Sequence, residues 1–184
     1  DFGKDETVHV GIDFNVGVQA SSIFAVRGNE THYLDELQGH PDTEQLAIAL
    51  RARYPKHKIY AYPDPSGRAR KTSSPVGRTD FSILEQQGII TLAHTKAPPL
   101  VDSVNAVNAQ LENAAGEKRM FFHPKCKGLI SSMERTKWVD NNPNSATIDK
   151  SEGVEHFSDG VRYATEYRHP IRTAKKVTAR GFNF

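Results

Sequence analysis

Apolar and polar residues alternate with period two over Val8–Gly17. Val8, Val10, Ile12, Phe14 and Val16 fall on one face, His9, Gly11, Asp13 and Asn15 on the other. This predicts a strand with one face in a core and Asp13 near its middle. Ser21–Arg27 and Thr31–Gln38 are also rich in apolar and β-branched residues, and Gly28-Asn29 between them is a two-residue hairpin signal. The chain is thus expected to open with three consecutive antiparallel strands. The pattern then changes to helical spacing. Leu46, Ala49, Leu50 and Tyr54 follow Asp42 and Gln45, which have capping-box spacing, and Pro55 ends the run.

Lys58–Tyr62 predicts a short strand that must stop at Pro63-Asp64-Pro65, because the prolines remove ladder donors. Asp64 is thereby placed at the carboxyl end of a strand, where open α/β sheets carry their chemistry. Arg68–Arg78 reads as a basic loop, and Asp80 as the N-cap of a helix over Phe81–Gln87 with Gly88 as its C-cap. Ile89–Ala93 is a further short apolar strand. Leu100, Val104, Val107 and Leu111 make a helical stripe, and Arg119–His123 a fifth main strand. Cys126, Leu129, Ile130 and Met133 line the helix after it, and Asp140–Lys150 is an Asn/Pro-rich loop. Over Val154–Tyr167, Phe157, Val161 and Ala164 share a core face, while His156, Asp159 and Tyr163 share the adjacent one. Pro170 ends this last helix. Asp35 and Glu36 are expected on an exposed stretch of the third strand.

Length and composition narrow the class. At 184 residues the chain is long enough for one domain with a real core. No apolar run approaches a membrane span and no signal peptide opens the chain, so no membrane role is expected. The single Cys126 excludes an intramolecular disulfide framework and a multi-cysteine zinc site, and its apolar stripe makes it a core residue. No Walker A sequence occurs. The formal charge of +2 says little, but its distribution says more. Arg68, Arg70, Lys71 and Arg78 crowd one segment, and no acid follows Glu166 in a tail that carries Arg168, Arg172, Lys175, Lys176 and Arg180. Phosphate suits such clusters, and a solvated surface is the alternative.

Three acids carry the candidate chemistry. A carboxylate at Asp13 among bulky apolar neighbours is costly unless a positive charge compensates it. Together with Asp64 at a strand end and Asp159 on the last helix, it would give a hard divalent cation oxygen ligands from separate elements, with positions left for substrate phosphate. Asp64 has an alternative reading as a turn residue before proline, and Asp159 as a helix-start residue favoured by the dipole. Asn15 and His156 are candidates for support behind the ligands.

The stretches GIDFNVG (11–17), YPDPSGRARKTSSPVGRTDFSIL (62–84), FFHPKCKGLISSME (121–134) and HFSDGVRYATEY (156–167) resemble the nuclease domain of tailed-bacteriophage terminase large subunits, in that family's order. The resemblance implies a ribonuclease H-like α/β fold. We expect a five-stranded mixed sheet, its first three strands antiparallel, with helices on both faces. It implies a domain over 8–168, a remnant of an interdomain link at 1–7, and a basic, flexible tail over 169–184. It implies an endonuclease that cuts concatemeric viral double-stranded DNA during genome packaging, with little sequence preference. The implied catalytic metal ligands are Asp13, Asp64 and Asp159, holding one or two Mg²⁺ or Mn²⁺ ions. Arg68, Arg70 and Lys71 would hold the DNA backbone, with Lys125, Lys127 and Lys137 as second choices. Implied partners are an N-terminal ATPase domain absent from this sequence, the portal and the small terminase subunit, in the cytoplasm of an infected bacterium. Two other readings stay open: another ribonuclease H-like nuclease such as a junction resolvase, and a non-catalytic DNA-binding or motor-docking module.

Overall fold

The hairpin at Gly28-Asn29 forms as its sequence predicts. Strand β2 (Gln19–Arg27) ends at Arg27, strand β3 (Glu30–His40) begins at Glu30, and Gly28 takes a φ of +63° that favours glycine. In this computed structural model, described over residues 1–14, 19–69 and 77–171, strand β1 (Val8–Asp13) pairs antiparallel with β2. The first three strands are therefore antiparallel, as expected. Strand β4 (Ile59–Pro63) then joins β1 in parallel, through the crossover helix α1 (Thr43–Arg53).

The sheet has six strands, not five. Strand β5 (Ile90–Thr91) pairs in parallel with the outer side of β4, and strand β6 (Met120–Phe122) in parallel with β3, giving the order β5-β4-β1-β2-β3-β6. The difference is the two-residue β5, which falls within the short strand expected over Ile89–Ala93 but not among the five main strands expected.

Helices cover both faces. Helices α1 and α2 (Asp80–Gln86) bring Leu46, Ala47, Leu50 and Leu84 against Val8, Val10, Ile12 and Ile59. On the other face, α3 (Leu100–Leu111), α4 (Lys127–Arg135) and α5 (His156–Arg168) bring Val107, Leu129, Phe157, Val161 and Ala164 against Ala20, Phe24, Tyr33 and Tyr62. All six residues of β1 are consequently buried, on both faces. The alternation of apolar and polar positions in β1 marks two cores, not a core and a solvent face.

Local corrections have simple causes. Thr79, not Asp80, caps α2 by a reciprocal capping box with Ser82, and Asp80 in the first turn accepts from Thr43 Oγ1 at 2.8 Å. Asp35 is buried, held by Arg53 at 2.6 and 2.9 Å and by the Tyr54 hydroxyl at 2.6 Å. Glu36, on the opposite face of β3, accepts from the Gly128 and Leu129 amides at 3.0 and 2.7 Å, at the start of α4. The expectation that both acids are exposed missed that β3 is covered on each side.

Candidate active site

Parallel pairing of β1 and β4 brings the first two candidate acids together. Ile12 lies opposite Pro63, and the Asp64 amide donates to the Ile12 carbonyl at 3.1 Å. Asp13 ends β1 and Asp64 follows β4, so both stand at the same carboxyl edge of the sheet. Asp13 is thus a strand-end residue and not a mid-strand one.

The third acid arrives through a glycine contact. Helix α5 crosses β1 so closely that a Cβ on Gly11 would lie 2.2 Å from the Gly160 carbonyl oxygen, and one on Gly160 would lie 2.9 Å from the Gly11 carbonyl oxygen. Two adjacent glycines in space let the helix and strand backbones touch. Gly160 follows Asp159, and Gly11 lies two residues before Asp13 on the same face of β1. The contact therefore seats Asp159 over the end of β1. Ser22 Oγ donates to the Phe157 carbonyl at 3.0 Å and fixes the register of the crossing.

The side chains form one polar group. His156 Nδ1 lies 3.3 Å from Asp13 Oδ2. One turn further on, Asp159 Oδ1 accepts from Arg162 Nε and Nη2 at 3.2 and 3.0 Å, and its Oδ2 from Lys150 Nζ at 3.4 Å. Arg162 is itself held by Ser103 Oγ at 3.1 Å and lies over the Tyr163 ring at 4.5 Å. The Tyr163 hydroxyl donates to Asp64 Oδ2 at 3.0 Å, and the Ser66 amide to Asp64 Oδ1 at 2.8 Å. The face shared by His156, Asp159 and Tyr163 thus reaches Asp13 and Asp64, as the helical spacing suggests.

Electrostatics agree with the geometry. Burial pushes the Asp13 carboxyl up to about 6, the Asp159 charge adds to the rise, and His156 and Lys150 oppose it. Burial works against the Lys150 charge, but Asp159, Glu155 and Asp13 outweigh it and raise its pKa. Burial also raises the Tyr163 phenol, which therefore stays protonated and able to donate to Asp64.

In kind, the donors suit a hard divalent cation: the buried carboxylates Asp13 and Asp159, the charge of the second making ionisation of the first costlier, and Asp64 on the turn after β4. Among the described residues no three His, Cys, Asp or Glu side chains are gathered into one shell. Each carboxylate is instead turned to a donor of the chain itself. Beside Asp159 opens a cleft of about 130 Å³, walled by Val107, Leu111, Met133, Trp138 and Ile148. Asp159 and Arg162 themselves form part of its lining, so the cleft adjoins the polar edge.

The basic candidates fare differently. Arg68 donates to the carbonyls of His94 and Ala93, each at 3.0 Å, and lies over the Phe81 ring at 4.7 Å. It fastens the turn after Asp64 to the segment after β5. Lys137 lies 3.7 Å from Asp149 and 3.8 Å from Glu152, and Lys125 lies 3.8 Å from Asp1. Lys127 is exposed at the start of α4. Asn15, Arg70, Lys71 and the tail beyond Ile171 lie outside the described residues. Cys126 is fully buried, and burial pushes its thiol up to about 11.

Sequence reasoning passed over Lys150, Glu155, Arg162 and the Gly11–Gly160 contact. Only the small residues at 11 and 160 carried a local signal, and their meaning depends on each other across the fold.

The mixed six-stranded sheet with helices on both faces has the fold of solved nuclease domains of phage large terminases. The individual likenesses are close in shape and distant in sequence. The nuclease domain of the P22 large terminase is 12% identical with a TM-score of 0.63, over 92% of this chain and 86% of that one. The SPP1 large-terminase nuclease domain, solved with bound Mn, is 17% identical with a TM-score of 0.55, over 89% and 86%. The large-terminase nuclease of the thermophilic phage G20c, solved with bound magnesium, is 13% identical with a TM-score of 0.61, over 90% and 84%. The chain also matches the large terminase of the thermophilic phage D6E at 15% identity and a TM-score of 0.65, over 90% of its own length and 41% of that chain. No family model matches the sequence, and no curated protein does.

Proposed function

We propose that this chain is a divalent-metal-dependent DNA endonuclease, the nuclease part of a phage packaging terminase that cuts concatemeric viral double-stranded DNA. The observation that supports the reading is the placement of Asp13 and Asp64 at one carboxyl edge of the sheet, with Asp159 close enough to Asp13 for its charge to act on it. The manganese and magnesium in the SPP1 and G20c structures support the choice of Mg²⁺ or Mn²⁺. Asp13, Asp64 and Asp159 would hold the ion or ions through carboxylate oxygens. Once bound, such a cation supplies a hydroxide at neutral pH and offsets charge on the scissile phosphate.

The rest of the site orients these ligands. Arg162, anchored by Ser103, fixes Asp159 by one oxygen. Tyr163 and the Ser66 amide fix Asp64 from two sides. His156 sits against Asp13, where its Nδ1 can hold or hand on a proton. Arg70, Lys71, Lys125, Lys127 and Lys137 are proposed backbone contacts, which position duplex without reading its sequence. Arg68 would act through the turn that carries Asp64. Action beside an ATPase domain, portal and small subunit in the infected cell's cytoplasm is part of the same proposal.

Plasmid nicking tests it. The wild-type chain should relax supercoiled DNA in Mn²⁺ and stop in EDTA. Asp64→Asn and Asp159→Asn should be inactive while folded by circular dichroism. Near wild-type cutting by either variant would remove that residue from the ligand set.

A further inference from the structure

One cation in the site differs from the others in how it is held. Arg162 is 11% exposed at its side chain, bonded to Ser103 and stacked on Tyr163. Lys150 is 60% exposed, and its Nζ lies 3.4 Å from Asp159 Oδ2 and 3.6 Å from Glu155 Oε1. Its two anionic partners are nearly inaccessible, with side-chain exposures of 7% and 4%. An exposed ammonium thus covers buried carboxylate oxygens from the solvent side.

The backbone beneath Lys150 is fixed. Trp138 and Ile148 form an antiparallel bridge, the Val139 amide donates to the Thr147 carbonyl at 2.9 Å, and the Asp149 amide to the Lys137 carbonyl at 2.9 Å. Directly after Lys150, the Gly153 amide returns to the Lys150 carbonyl at 3.2 Å. The loop therefore presents one long, flexible side chain from a rigid base, and that side chain can swing without moving the fold. Asp159 keeps its orientation when the lysine leaves, because Arg162 grips the other oxygen.

We propose that Lys150 is a tethered counter-cation that occupies Asp159 Oδ2 in the metal-free protein and is displaced by the divalent ion. It offsets buried negative charge until metal arrives, and it competes with metal for the same oxygen. The device rests on the metal-ligand reading of Asp159 given above. It predicts opposite effects of one substitution: loss of the lysine charge weakens the metal-free fold and strengthens metal binding. A lysine that merely braced the loop would weaken both, and an incidental surface pair would change neither.

The test is Mn²⁺ titration of wild type, Lys150→Met and Lys150→Arg, followed by the electron paramagnetic resonance of free Mn²⁺, together with melting in EDTA. Lys150→Met keeps most of the aliphatic stem. It should melt below wild type in EDTA and bind Mn²⁺ about fivefold more tightly, the scale of one unit charge removed at about 4 Å in water-like surroundings. Lys150→Arg should stay near wild type in both. Unchanged or weaker Mn²⁺ binding by folded Lys150→Met overturns the proposal. Asp159→Asn separates the two levels of argument. If wild type and Asp159→Asn bind Mn²⁺ equally, the ligand reading fails and the competition with it. If only Asp159→Asn loses affinity and Lys150→Met does not gain it, the competition alone fails.

Discussion

Tyr163 shows what one residue contributes when its face is right. Its hydroxyl reaches Asp64 across 99 positions of sequence, and with the Ser66 amide it accounts for one bond to each Asp64 oxygen. Tyr163→Phe keeps the ring under Arg162 and removes only the donor. The expected cost is about 1 kcal/mol of stability, with slower nicking and no change of fold; wild-type nicking would leave the bond without a positioning role. His9 gives a second residue-scale prediction. It is buried beside Phe24, Tyr60 and Tyr62, with Nδ1 2.9 Å from the Tyr62 hydroxyl. Burial pushes its pKa down to about 4, and the Arg168 charge adds to this. The unfolded chain, with His9 near 6.5, binds the proton first as pH falls. The stability that neutral His9 contributes is therefore complete above about pH 6.5 and is lost between there and about pH 4, to at most about 3 kcal/mol. Urea unfolding at several pH values should show this slope in wild type and a smaller one in His9→Phe. At this scale the sequence was informative where spacing is local: His156, Asp159 and Tyr163 lie on one helix face whatever the tertiary structure. Lys150 was hidden because an irregular loop has no period from which a direction can be read, and Glu155 because it stands at the cap of α5, before the helix's periodic faces begin.

Elements explain why the candidate acids lie toward one edge of the sheet. Strand β1 is fixed to the end of β4 and to helix α5 by backbone contact, and the Tyr163 side chain ties α5 to Asp64. Gly11→Ala would place a methyl group 2.2 Å from the Gly160 carbonyl oxygen, a distance no rotamer change relieves because both partners are backbone. Helix α5 must lift from the sheet, at a cost of about 1–3 kcal/mol typical of overpacking, and Asp159 moves with it. A melting temperature within a degree of wild type, with full nicking, would mean the crossing has slack. Arg68→Ala should act at the same scale. It removes both bonds from the turn after Asp64 to the segment after β5, so we expect lower stability by about 1 kcal/mol. Unaltered stability with weaker DNA binding would return Arg68 to the phosphate contacts. The hairpin, the crossover helix and the last helix were legible because each has a periodic pattern and a punctuating Gly, Pro or cap. Strand β5 was less so: two residues at a sheet edge are defined by their partner, β4, and not by their own composition.

For the whole molecule, the candidate site joins elements that form at different points along the chain. Asp13 belongs to the first strand, Asp64 to the fourth, and Asp159 to a helix packed across β1, β2 and β4. The sequence supplied these three acids, but their common edge follows only from the parallel register of β1 with β4 and the glycine crossing of α5. In the unfolded chain they are separated by 50 residues or more, and no arrangement of carboxylates persists. A divalent cation that bridges them would bind the native state and scarcely the unfolded one, so binding must appear as stability. At a metal concentration about one hundred times the dissociation constant, the gain is about 2.7 kcal/mol. For a chain of this length that corresponds to a rise in melting temperature of about 5–10 °C. Differential scanning fluorimetry in EDTA and in millimolar Mn²⁺ or Mg²⁺ measures it. Asp13→Asn keeps the side chain's size and removes one charge from the β1 end, so its shift should be clearly smaller than wild type. Its melting temperature without metal should fall little, because the substitution also removes a buried charge that repels Asp159. An equal metal-induced rise in wild type and Asp13→Asn would place the ions elsewhere on the protein and take Asp13 out of the site.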